Sequence, residues 1–150
     1  MTEVLFYHLT ESTLEEALPG LLEKTLQRGW RAVVQTGSPE RRDALDVRLW
    51  TYREDSFLAH GCEHEPHADS QPILLTHGHA NPNAAEVRFL VDGASPPPDV
   101  EAYVRLVFMF DGHDEMQLEG ARREWKNQKA AGHEVAYWQQ TPDRRWVRKS

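Results

Sequence analysis

VLFYHL at residues 4–9 and WRAVVQT at residues 30–36 are the stretches whose reading decides the fold. In the first, Val4, Phe6 and His8 alternate with Leu5, Tyr7 and Leu9, so both faces of an extended chain are apolar or aromatic, as in a strand covered on both sides of a sheet. Between the two stretches, Leu14, Ala17, Leu18, Leu21, Leu22, Thr25 and Leu26 recur at steps of three and four, the stripe of an amphipathic helix. Thr13 with Glu16 offers a capping box at its start, and Gly29 a stop. Pro19 falls inside the stripe, so the helix is either kinked there or regular only from about Pro19 onward. Ser38 and Pro39 read as cap and first position of a second helix reaching Trp50. Strand, helix, strand, helix predicts a parallel sheet with helices packed against it.

Farther along, residues 51–71 turn polar with little periodicity and read as a long excursion. Residues 72–76, 86–91 and 104–110 are strand candidates; 114–131 is a helix ended by Gly132, and 133–139 reads as the last strand. Residues 143–150 form a short basic tail. The whole, 1–150, fits one domain. The acids outnumber the bases, 24 to 17, giving a net charge of −7, which argues against general DNA binding while leaving room for local basic patches. The apolar runs at 4–9 and 104–110 are far shorter than the ~20 residues of a membrane span, and the N-terminus does not read as a signal peptide. A single cysteine, Cys62, forms no internal disulfide and agrees with a reducing, cytoplasmic setting.

A sheet of this kind invites a nucleotide, but residues 10–16, TESTLEE, offer no glycine and three carboxylates where a phosphate would sit. Gly37 after the second strand is a lone turn glycine. No nucleophile constellation appears, so neither catalysis nor a cofactor is expected. His60, Cys62, His64, His67, His77 and His79 fall within twenty positions, and zinc uses such donors. Their spacing lacks the tight knuckles of zinc motifs and reads as a His-rich polar loop. The rival reading is a metal-binding enzyme or sensor using His60, Cys62, His64 and His67.

Arg122, Trp125, Lys126 and Lys129 stand at i, i+3, i+4 and i+7, on one helical face. Alone, this describes a solvated face with one ring tucked under it. It also describes a receptor for a chain end: a guanidinium gripping a terminal carboxylate, an indole walling the apolar side chain beside it, and Arg123, Lys126 and Lys129 attracting acids upstream. Direct DNA binding by the basic residues 144–149 is a further possibility.

The order and spacing of LFYHL (5–9), LWTYREDSFLAHG (49–61), QPILLT (71–76), NPNAAEVRFLVDG (81–93) and ARREWKNQKAAG (121–132) resemble the chi subunit of the bacterial DNA polymerase III holoenzyme, a clamp-loader accessory. The resemblance implies a Rossmann-like α/β fold: a mostly parallel sheet with helices on both faces and no phosphate-binding loop. It implies a non-catalytic adaptor binding the acidic, Phe-ended C-terminal tail of single-stranded-DNA-binding protein and linking it to the clamp-loader complex, in some bacteria through a psi subunit. It implies no sequence-specific DNA contact and no membrane. By position, Arg122 matches the arginine that holds the tail, Trp125 the nearby aromatic and Lys126 a flanking base. Trp125 stands where the best-known members have Tyr, and Leu118 where they have Lys, leaving Lys129 or Arg123 to supply that charge. Trp50 and Phe57 match aromatics near the psi-facing surface. The receptor reading requires an Arg122 guanidinium not locked to an internal acid and a Trp125 indole not sealed in the core.

Overall fold

The computed structural model describes residues 2–51 and 60–149. The elements follow as β1 (Glu3–Leu9), α1 (Leu14–Gln27), β2 (Ala32–Gln35), α2 (Pro39–Trp50), β3 (His60–Cys62), β4 (Ile73–Thr76), β5 (Val87–Leu90), β6 (Arg105–Asp111), α3 (Glu115–Ala130), β7 (Glu134–Gln140) and β8 (Trp146–Arg148). Among the described residues the strands form one sheet of order β3-β4-β2-β5-β6-β1-β7-β8. Every pairing is parallel except β7 with β8. This is a Rossmann-like α/β arrangement with helices on both faces.

The alternation in β1 sorts the two cores as the sequence implies. Leu5 and Leu9 join Leu18 and Leu22 of α1 and Leu45 and Leu49 of α2 on one face. Val4 and Phe6 join Phe108, Phe110 and Ala121 of α3 on the other. With β6 on one side and β7 on the other, β1 has no free edge, which explains its near-continuous apolar run.

Helix α1 begins where the capping box places it: the Thr13 hydroxyl accepts from the Glu16 N–H at 3.2 Å, and the Glu16 carboxylate accepts from the Thr13 N–H at 2.8 Å. The helix then runs through Pro19 rather than starting there. Helix α2 is capped by the Ser38 hydroxyl, with Pro39 as its first residue.

Two expectations are corrected. The polar excursion contains an edge strand, β3, whose three residues are all buried. With only three residues it shows no alternation, so its cover by α2 was not visible in the pattern. The basic tail is not a tail: Trp146–Arg148 pairs antiparallel with β7, after a turn in which Arg144 takes a positive φ of 65°. The turn signal was the Pro142–Asp143 pair.

Candidate functional site

Helix α3 is set at both ends by local sequence. The Asp114 carboxylate accepts from the N–H groups of Met116 and Gln117 at 3.0 and 3.2 Å. At the far end Gly132, with φ of +85°, donates to the Lys129 carbonyl at 3.0 Å while His133 donates to that of Gln128 at 3.2 Å, the paired closure that a left-handed residue permits. Ala121 and Gln128 are the buried residues of the helix, and Ala121 joins the core beneath it. Its small side chain lets the backbone come close, and longer side chains one turn away form walls instead of a plug.

Those walls bound a cavity of about 410 Å³ lined by Phe110, Leu118, Ala121, Arg122, Trp125, Lys126 and Tyr137. Trp125 is half-buried. It stands edge-on to Phe6 at 5.6 Å and to Tyr137 at 5.8 Å, so part of the indole is fixed by the core and part faces the cavity. Lys129 places its ammonium 5.0 Å from the center of the same ring. Arg122 is exposed, and among the described residues no hydrogen bond or ion pair holds its guanidinium. Leu118 lines the cavity as an apolar wall. Arg123 lies apart, along a neighboring groove with Asp92, Ser95, Gln117 and Glu124.

Tyr137, part of the floor, makes a pairing behind the cavity that the sequence did not disclose. The Tyr137 hydroxyl lies 2.6 Å from His8 Nδ1, and the His8 ring stacks on Phe110 at 4.9 Å. Burial, then the neighboring His113 and Arg122, hold the His8 imidazole below its usual range. Burial pushes the Tyr137 phenol up, with Arg122 opposing. The lining is mainly apolar, and the positive charge sits at the rim on Arg122 and Lys126, with Lys129 against the Trp125 ring. An apolar cavity with cations at its mouth suits a ligand pairing an apolar group with an anionic end. The signal for the pairing lay in β1 and β7, where His8 and Tyr137 follow the same alternation as Phe6 and Val135; only the register brings them together.

The strand ends are differently occupied. Where nucleotide-binding sheets offer backbone N–H groups to a phosphate after the first strand, Thr10, Glu11 and Ser12 donate theirs to one oxygen, Gln140 Oε1, at 3.2, 3.1 and 3.0 Å. Gln140 Nε2 in turn donates to Ser12 Oγ at 3.0 Å. The neighboring crevice is crossed by Arg41, which pairs with Glu15 at 2.8 Å and Asp92 at 3.1 Å.

The histidines of the excursion are scattered. His60 is buried with Nε2 at 2.8 Å from Asp46 Oδ1, whereas His64 and His67 lie exposed. His60, Cys62, His64 and His67 are thus not brought together. Among the described residues the one group of three ligand-type side chains whose atoms all lie within 4.8 Å of one another is Asp46, Cys62 and Glu65. Burial, then the carboxylates of Asp46 and Glu65, push the Cys62 thiol up to about 12, so it is a protonated side chain at neutral pH. Glu63 is a tighter junction, taking hydrogen bonds from Thr76, Arg42 and the His77 backbone. His77 was named by sequence only as one of the ligand-type residues of the His-rich segment, and Glu63 was not singled out. Trp50 ends α2 with its ring half-exposed, centered 4.2 Å from that of His60. Phe57 lies outside the described residues. Among the described residues no helix is long and apolar enough to cross a membrane.

Fold and site together define a class: a Rossmann-like α/β protein whose first strand-end loop is satisfied by its own side chain, and which carries an apolar, cation-rimmed cavity on a surface helix. Residues 1–136 match the family of the DNA polymerase III chi subunit, HolC, and the chain belongs to that family, accessory subunits of the replicative polymerase. It is 30% identical over 91 residues to a probable DNA polymerase III subunit chi of Rickettsia prowazekii (strain Madrid E). The match takes in 61% of this chain and 55% of that relative, a little over half its length.

Proposed function

We propose that the α3 cavity receives the acidic, Phe-ended C-terminal tail of single-stranded-DNA-binding protein, and that the chain acts as a non-catalytic adaptor tying that protein to the clamp-loader complex. The observation that carries this reading is the cavity itself: an apolar hollow with the unengaged Arg122 guanidinium at its mouth. The terminal phenyl ring enters between Trp125, Leu118 and Tyr137. Arg122 takes the free carboxylate through two parallel hydrogen bonds, and Lys126 and Lys129 attract the acids upstream. Arg123 faces the adjacent groove and acts on the tail only at longer range.

Burying one phenyl ring contributes about 2 to 3 kcal/mol and the charge-assisted grip about 1.5 to 3, before the ordering of a flexible tail is subtracted. Single-tail affinity is then on the order of micromolar, and a partner offering several tails raises retention through effective concentration. The test titrates an acidic peptide ending in Phe, and its C-terminal amide, against the chain and its Arg122→Ala variant at two salt concentrations. We expect losses of about ten- to a hundredfold from either the amide or the variant, and weaker binding at higher salt. Equal affinity of acid and amide peptides, or an unaffected variant, removes the receptor.

The linkage toward the clamp loader is assigned to the opposite edge of the sheet, where Trp50 presents a half-exposed ring beside buried β3; Trp50 with Phe57 is the proposed psi-facing pair. A Trp50→Ala variant that still bound psi with full affinity would remove Trp50 from that surface.

A further inference from the structure

The sheet face opposite the α3 cavity carries a second constellation that the tail reading leaves unused. Beyond α1, the side chains of Tyr7, Trp138 and Trp146 stand on this face. Tyr7 and Trp138 are within 13° of parallel at 6.5 Å, and Trp146 meets Tyr7 edge-on at 4.9 Å. They line a groove of about 380 Å³ together with Lys24 and Arg28 of α1 and Arg105 of β6. Arg28 and Arg105 each hold their guanidinium 5.3 Å from the center of the Trp30 ring. Among the acids at this end, Glu3 is paired with Arg105 at 2.6 Å, Glu134 lies opposite Glu3 in the β1–β7 register, and the Glu86 carboxylate accepts from the Arg31 N–H at 2.7 Å. Among the described residues the buried Trp138 Nε1–H in this wall meets no acceptor.

We propose that this groove binds single-stranded nucleic acid, with bases stacking on Tyr7 and the two tryptophans and backbone phosphates meeting Lys24 and Arg28, while Arg105 stays paired with Glu3. Flat, partly exposed rings interleaved with cations are the combination that holds a strand without reading its sequence. A duplex keeps its bases stacked internally and has nothing to offer the rings. An acidic peptide has no use for several π-faces. The net charge of −7 does not oppose this, because the cations are gathered locally and the nearest acid is already paired. The basic residues near the C-terminus enter through β8, which sets Trp146 against Tyr7, rather than as a free arm.

The test uses the full chain with a fluorescent oligo(dT) of about 20 nucleotides and a duplex of equal length, read by anisotropy and by tryptophan emission. Two phosphate contacts on a single strand imply binding about twenty-five-fold weaker at 200 than at 20 mM salt. We expect the single strand to bind and quench tryptophan emission, the duplex to bind at least about tenfold more weakly, and Trp146→Ala to lose most of the quenching. Because Trp146→Ala can disturb β8, the exposed pair Lys24→Glu and Arg28→Glu is the second arm, expected to weaken binding at least about tenfold. Absence of binding at low salt, equal binding of duplex, displacement by an acidic peptide, or unchanged affinity in the charge-reversed pair each overturns the proposal.

Discussion

Glu63→Gln gives the most demanding test of the electrostatics around β3 and β4. One carboxylate oxygen of Glu63 takes Arg42 at 2.8 Å, the His77 N–H at 3.1 Å and the His77 ring at 2.6 Å; the other takes the Thr76 hydroxyl at 2.6 Å. Burial alone would raise this carboxyl, but these partners outweigh it and hold the group at about 2, against an ordinary 4.5. That difference corresponds to about 3 kcal/mol favoring the folded chain; with 21% of the side chain exposed, solvent screening brings it to about 2. Because the folded value is the lower one, the stabilization is fully present above the unfolded value near pH 4.5 and is lost as pH falls toward 2. Glutamine has the shape of the protonated acid and cannot ionize. Urea unfolding of both proteins from pH 7 to pH 2.5 should show a gap of about 2 kcal/mol at neutral pH that closes progressively below pH 4.5. A gap of constant size across that range would refute the reasoning, since it would mean that shape and not charge makes the difference.

Gln140→Ala should cost about 2 to 3 kcal/mol in the same assay, because three backbone N–H groups lose their shared acceptor; wild-type stability would show that water replaces it freely. Gly112→Ala should destabilize by about 1 to 3 kcal/mol and lower the melting temperature. A Cβ there would stand 2.0 Å from His8 Nε2 and 3.1 Å from the Leu9 carbonyl, forcing the ring away from Tyr137. A melting temperature equal to that of the wild type would show that the His8 ring is free to move.

The alternation of β1 and the three-and-four stripe of α1 were legible because each reports a local period that survives into the folded chain: Leu5 and Leu9 meet α1, while Val4 and Phe6 meet α3. The caps at Thr13 and Ser38 were equally local, since a side chain reaches only the next two or three N–H groups, whereas Asp114, read as the first residue of its helix, is in fact its cap. Three-residue strands carry no period, so β3 and β8 were hidden in polar segments. Arg88 was hidden for another reason: it is fully buried on β5 and bonded to Gln35, Tyr103 and the carbonyls of Gly78 and Ala80, partners that come from three separate segments.

By itself, then, the sequence determined which faces of the strands and helices are apolar, where the helices begin and end, and that Arg122, Trp125, Lys126 and Lys129 share one side of α3. Only the tertiary structure decided what that side looks onto. Parallel register between β1 and β7 sets Tyr137 beside His8 and Trp125, opening a hollow where a flat contact would equally have fitted the helical pattern. Likewise the Gln140 side chain, about 130 residues from the loop it satisfies, reaches Thr10–Ser12 only because β7 lies next to β1. The physical reason is range: periodicity and capping act over a few residues, whereas cavity shape and side-chain contacts depend on strands that meet only after the sheet has closed.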